Sequence, residues 1–121
     1  MTGGTELSDL DRLKRIFQLN RFIDHLRFER GVSDQTLDAY EHDVVRLAVF
    51  LRAAGREGPA AATTADLRAF VLRLKDLGLE PSSIARNISA IRSYFGFLLA
   101  EDLLVADPSE RIQAPRGWRT L

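Results

Sequence analysis

Residues 81–100 read PSSIARNISAIRSYFGFLLA, and the spacing inside this stretch decides the fold. Ile84, Ile88, Ile91, Phe95 and Leu98 recur at alternating steps of four and three residues, which is the repeat of one face of an α-helix. Pro81 suits the first turn of that helix, where a missing N–H costs nothing. The pattern predicts a buried helix running to about Leu99.

Working upstream, three more helical patterns appear, separated by glycine, proline and alanine. Leu10, Leu13, Ile16, Phe17, Ile23 and Leu26 mark a first pattern from about Ser8 to Arg30, with Asn20 as the place where it divides into two helices. Gly31 is a natural stop. Ser33 is an N-cap for a second helix from Asp34 to about Ala54, whose stripe is Leu37, Tyr40, Val44, Leu47, Ala48 and Leu51. Residues 55–62 form a loop. Thr63 and Asp66 have capping-box spacing and open a third helix with Leu67, Phe70, Val71 and Leu74, ending at Gly78. No stretch alternates as a half-buried strand does, so the fold class is all-α, a bundle of four to five helices with residues 81–99 as the fourth pattern.

Downstream of the fourth helix, Pro108 and Pro115 forbid another long helix. A short turn and then an extended linker are expected. The reading divides the chain into a helical domain over residues 1–110 and the start of a linker over residues 111–121.

Length and composition fit one soluble domain. The 121 residues are 45% hydrophobic and 28% charged, which suits a single core and excludes wholesale disorder. There is no cysteine, so disulfides and thiolate metal sites are excluded. Residues 1–15, MTGGTELSDLDRLKR, lack the apolar core of a signal peptide, and no window is apolar enough to span a membrane. A cytoplasmic protein is the expectation, without a membrane partner.

Seventeen basic residues balance seventeen acidic ones, so bulk charge gives no argument for nucleic acid. Placement does. Residues 81–100 hold Arg86 and Arg92 without an acid, and residues 111–121 hold Arg111, Arg116 and Arg119 likewise. On a helical wheel Ser82, Arg86, Ser89 and Ser93 cluster opposite the Ile84 stripe, with Arg92 to one side. Ser83 adds a further hydroxyl. That mixture suits phosphate contact and base-edge hydrogen bonds, and it equally suits a solvated face with ordinary surface ion pairs. Replacing Arg86 is expected to leave folding nearly intact, and Arg92 is expected either at DNA or paired with an acid such as Asp43. At the start of the second helix Gln35, Thr36 and Ala39 make a short polar patch; Gln35 suits adenine, and Thr36 suits a phosphate or the closing of its own helical turn.

No constellation in the sequence carries chemistry. His25 and His42 are too isolated to be metal ligands, and no phosphate loop, nucleophile elbow or acid pair is present. Tyr40 and Tyr94 lie at or beside apolar stripes, so both are expected in the core. Catalytic residues, metals and cofactors are all expected to be none.

Two stretches carry a family resemblance. Residues 77–116, LGLEPSSIARNISAIRSYFGFLLAEDLLVADPSERIQAPR, and residues 22–51, FIDHLRFERGVSDQTLDAYEHDVVRLAVFL, resemble the core-binding, SAM-like N-terminal domain of Xer-type tyrosine recombinases and phage integrases. The matching residues are Arg30, Gly31, Ser33, Thr36, Tyr40 and Asp43 in one, and Ser83, Ile84, Arg86, Ser89, Ala90, Arg92, Ser93, Phe95, Asp107 and Pro108 in the other. Glu80 departs from the pattern, standing where the family often has a serine cap.

The resemblance implies a bundle whose second and fourth helices, as counted here, meet the major groove of a recombination half-site in double-stranded DNA. It also implies recombinase protomers as partners in a synaptic complex, and a separate catalytic domain whose tyrosine forms a 3′-phosphotyrosyl intermediate. That domain lies outside this sequence, so the fragment itself is expected not to be an enzyme. Arg116, with Arg111, Trp118 and Arg119, is expected along the DNA backbone in the linker. A SAM-like module that binds protein and not DNA is the alternative.

Overall fold

Helix ends in this chain are set by a few capping residues, and the structure, a computed structural model, describes residues 8–115, 117 and 118. The Ser8 hydroxyl accepts the Asp11 N–H and opens α1 (Asp9–Ile16). Ser33 does the same for α3 (Asp34–Ala53), accepting from Thr36 N–H at 3.3 Å. Thr63 and Asp66 form the reciprocal capping box at the start of α4 (Thr64–Asp76). Asp66 is also gripped by Arg56 at 2.8 and 3.0 Å, and this pairing, ahead of the capping bonds, holds its carboxyl below the usual range. Pro81 occupies the first turn of α5 (Pro81–Ala100).

Gly55 and Gly78 close α3 and α4 in the left-handed conformation. In each case the next residue's N–H returns to a carbonyl five residues back, Arg56 to Leu51 and Leu79 to Leu74. Asp102 closes α5 in the same way, at φ 60, with Leu103 N–H on Leu98 O.

The first pattern divides at Gln18, not at Asn20. Gln18 takes φ 58 between α1 and α2 (Leu19–Asp24), because Phe17 and Leu19 on either side of it are both buried and a continuous helix would turn one of them outward. The carbonyl of Phe17, freed by the break, accepts the Tyr94 hydroxyl at 2.6 Å. A π-helical turn (His25–Glu29) follows α2, and just beyond it Gly31 takes the left-handed conformation. Leu10, expected in the core, is 47% exposed, since α1 is only half-laid on the bundle and buries no residue fully.

α5 is the axis of the bundle, packed against α2, α3 and α4. Its predicted stripe of Ile84, Ile88, Ile91, Phe95 and Leu98 is buried throughout, and Ala90, Tyr94 and Phe97 widen the apolar face. The exposed remainder of α5 is therefore a narrow polar strip. Among the described residues there is no strand and no helix long and apolar enough to cross a membrane.

The C-terminal segment is less extended than its prolines suggest. Ile112 is buried in the core, Ser109 is buried beside Asp107, and the Thr64 hydroxyl donates to Pro108 O. Lys75 lies over the Trp118 ring at 5.0 Å. Packing thus continues past residue 111.

Candidate nucleic-acid interface

The exposed strip of α5 carries Ser82, Arg86, Ser89 and Arg92, with Ser83 and Ser93 half-buried at its edges. Gln35 and Thr36 are exposed on the first turn of α3, the helix that packs most closely on α5. The α5 strip borders the α3–α5 contact through Arg86, which reaches Asp43 of α3. Measured along the axes at 1.5 Å per residue, Thr36 is ~10 Å from the Asp43 level of α3, and Ser89 is ~4.5 Å from the Arg86 level of α5. Thr36 is already engaged in its own cap, its Oγ1 accepting the Ser33 hydroxyl at 3.1 Å. Arg116 lies outside the described residues, and so does Arg119.

Arg86 is the organising side chain of this surface, in a way the helical wheel does not foresee. It donates from Nε and Nη2 to the two carboxylate oxygens of Asp43, both at 2.8 Å. The Asp43 side chain is 1% exposed and that of Arg86 is 41% exposed. The expectation that Arg86 is a free surface residue is therefore corrected: it neutralises a buried carboxylate across the α3–α5 contact. Of the two alternatives for Arg92, the pair with Asp43 does not form, because Arg86 takes both carboxylate oxygens. Arg92 is exposed without an ion-pair partner among the described residues. The hydrogen bonds to Asp43 raise the Arg86 pKa above its ordinary value, against the lowering effect of burial; charge interactions with Asp43 and Tyr40 add to the rise.

Two neighbours escaped sequence reasoning. Arg46, one helical turn along α3, brings Nη1 to 3.9 Å from Asp43 Oδ1, so two guanidiniums face one carboxylate. The signal was the i,i+3 spacing of Asp43 and Arg46. Asn87 is fully buried and donates to Ser83 O at 2.9 Å, which fixes the first turns of α5. A buried asparagine beside an exposed arginine leaves no local sequence signal.

The two tyrosines are held by their surroundings. Tyr94 is buried, its hydroxyl is committed to the Phe17 carbonyl, and burial pushes its pKa far up. Tyr40 is half-buried near Arg86. The described residues contain no group of His, Asp and Glu able to hold a metal. The surface offers directed N–H and hydroxyl donors on two adjoining helices, an arrangement that suits hydrogen bonding to an anionic, groove-shaped ligand.

Comparison with known proteins points the same way. Residues 19–102 match the family described as phage integrase, N-terminal SAM-like domain. Similar curated proteins include a tyrosine recombinase XerD from Chlorobaculum tepidum, 43% identical over 103 residues, covering 85% of this chain and 34% of the relative. A tyrosine recombinase XerC from Xanthomonas campestris pv. campestris is 40% identical over 100 residues, covering 83% of this chain and 31% of its own. One from Pseudomonas aeruginosa is 39% identical over 103 residues, with 85% and 34% covered. The chain thus spans about a third of the length of these relatives. No solved structure gives a significant match.

Proposed function

This chain belongs to the phage integrase N-terminal SAM-like domain family, shared with the Xer tyrosine recombinases, and from that membership we propose that it grips a recombination half-site in double-stranded DNA through α3 and α5. Strand cleavage and rejoining fall to a catalytic domain outside these residues, so the chain alone is a binding module and not an enzyme. In the full-length protein it works in the cytoplasm, beside other recombinase protomers on a shared DNA junction.

The observation that carries this reading is the acid-free exposed strip of α5 beside the first turn of α3. An α-helix fits the major groove, and a strip of serine and arginine with no acid of its own helix presents donors to phosphates and base edges, the neighbouring Asp43 carboxylate being buried and bonded to Arg86. Gln35, Thr36, Ser82, Ser83, Arg86, Ser89, Arg92 and Ser93 are the proposed contact residues, and Arg116 continues the contact along the backbone. The zero net charge implies that affinity rests on a few local contacts.

Amide chemical shifts recorded as a short duplex is added test this directly. The largest changes are expected in the first turn of α3 and along residues 82–93 of α5. The competing protein-interaction reading has its own surface, a shallow apolar groove of Leu10, Leu13, Ile16 and Val49 between α1 and α3. Unchanged α5 shifts at saturating duplex would remove the proposed interface.

A further inference from the structure

The geometry points to Arg86 as a reader of guanine in the major groove and to Asp43 as the positioning residue that aims it. This deepens the DNA-binding reading above and rests on it. Asp43 takes the Nε and Nη2 side of the guanidinium at 2.8 Å on each oxygen, leaving the end formed by Nη1 and the second Nη2 hydrogen free. Arg86 stands in the exposed strip of α5, so this free end is available at the surface. It carries two parallel N–H donors, the pattern that matches the O6 and N7 acceptors of a guanine.

The same two donors also match a phosphate, and fixation separates the cases. Charge does not, because Arg46 beside the same carboxylate leaves the Arg86–Asp43–Arg46 cluster net positive, as a phosphate would favour. Base reading depends on directed donors held in place, and a buried, 1% exposed carboxylate anchored on a second helix supplies that fixation. Arg46 touches Asp43 only at 3.9 Å and leaves both carboxylate hydrogen bonds to Arg86. Arg92, unpaired on the same helix, keeps its full charge for the backbone.

The test is selection from a pool of short duplexes with a randomised centre, using this chain, Arg86→Lys and Asp43→Asn. The unaltered chain is expected to enrich a guanine at one position. Replacing that base by 7-deazaguanine, which lacks the N7 acceptor, should weaken binding about tenfold, within the range for one bidentate base contact. In Arg86→Lys the preference at that position should flatten, because a lysine offers no fork. In Asp43→Asn it should flatten as well, although Arg86 is still present. Enrichment without a guanine, or indifference to 7-deazaguanine, overturns the inference; this arm uses the unaltered protein and is independent of how the variants fold. A folded Asp43→Asn protein that keeps the full guanine preference overturns the positioning role. Binding to duplex with no enrichment at all sinks the guanine inference and leaves the DNA-binding reading standing, whereas failure to bind any duplex at low salt sinks both.

Discussion

Phe95→Ala is expected to leave the domain barely folded. Phe95 is fully buried in α5, and its ring meets Tyr94 edge-on at 5.1 Å. Truncating such a residue costs about 3–5 kcal/mol in lost transfer energy and cavity, against a total of about 5–15 kcal/mol for a domain of ordinary stability. The loss spreads, because the neighbouring Tyr94 also packs edge-on against Phe22 and bonds the Phe17 carbonyl at the α1–α2 break. Thermal melting followed by circular dichroism should show a midpoint lower by on the order of 10–20 °C. A midpoint within a few degrees of the unaltered chain would mean that α5 is not the axis of the core.

Arg86→Ala is expected to damage stability as well as binding, the reverse of what a surface arginine would do. The substitution leaves the Asp43 carboxylate buried without its bidentate partner, and a buried acceptor so stranded costs about 1–3 kcal/mol. The open side of Arg86 and the nearness of Arg46 keep the figure below the larger cost of breaking a fully enclosed pair. The expected fall in melting midpoint is roughly 5–10 °C. Adding Asp43→Asn to Arg86→Ala should recover part of it, because a buried amide is less costly than a buried unpaired charge. If Arg86→Ala melts within a degree or two of the unaltered chain, the Asp43 contact contributes nothing to the fold. DNA binding by Arg86→Ala is to be compared only at temperatures where it remains folded.

These two residues mark the division between what is legible in the sequence and what is not. The burial of Phe95 is legible because a run of large apolar residues at steps of three and four admits one helical phase, and the caps at Ser33 and Thr63 and the stops at Gly31, Gly55 and Gly78 follow from local backbone chemistry. The break at Gln18 is not local. It arises because two buried residues flank it and a tyrosine from the far end of the chain takes the freed carbonyl. The Arg86–Asp43 pair joins residues 43 positions apart; an ion pair of Asp43 with an α5 arginine is within reach of the sequence, but which arginine takes it depends on how α3 and α5 cross. Ile112 is a single apolar residue between prolines, so no periodicity announces its burial.

The claim that this chain is a DNA-binding module is tested most directly by its affinity for a short duplex measured over a series of salt concentrations. A few phosphate contacts around the α5 strip predict measurable binding at low salt, with log affinity falling linearly against log salt at a slope of about −2 to −4. Absence of binding at low salt, or an affinity indifferent to salt, would contradict it.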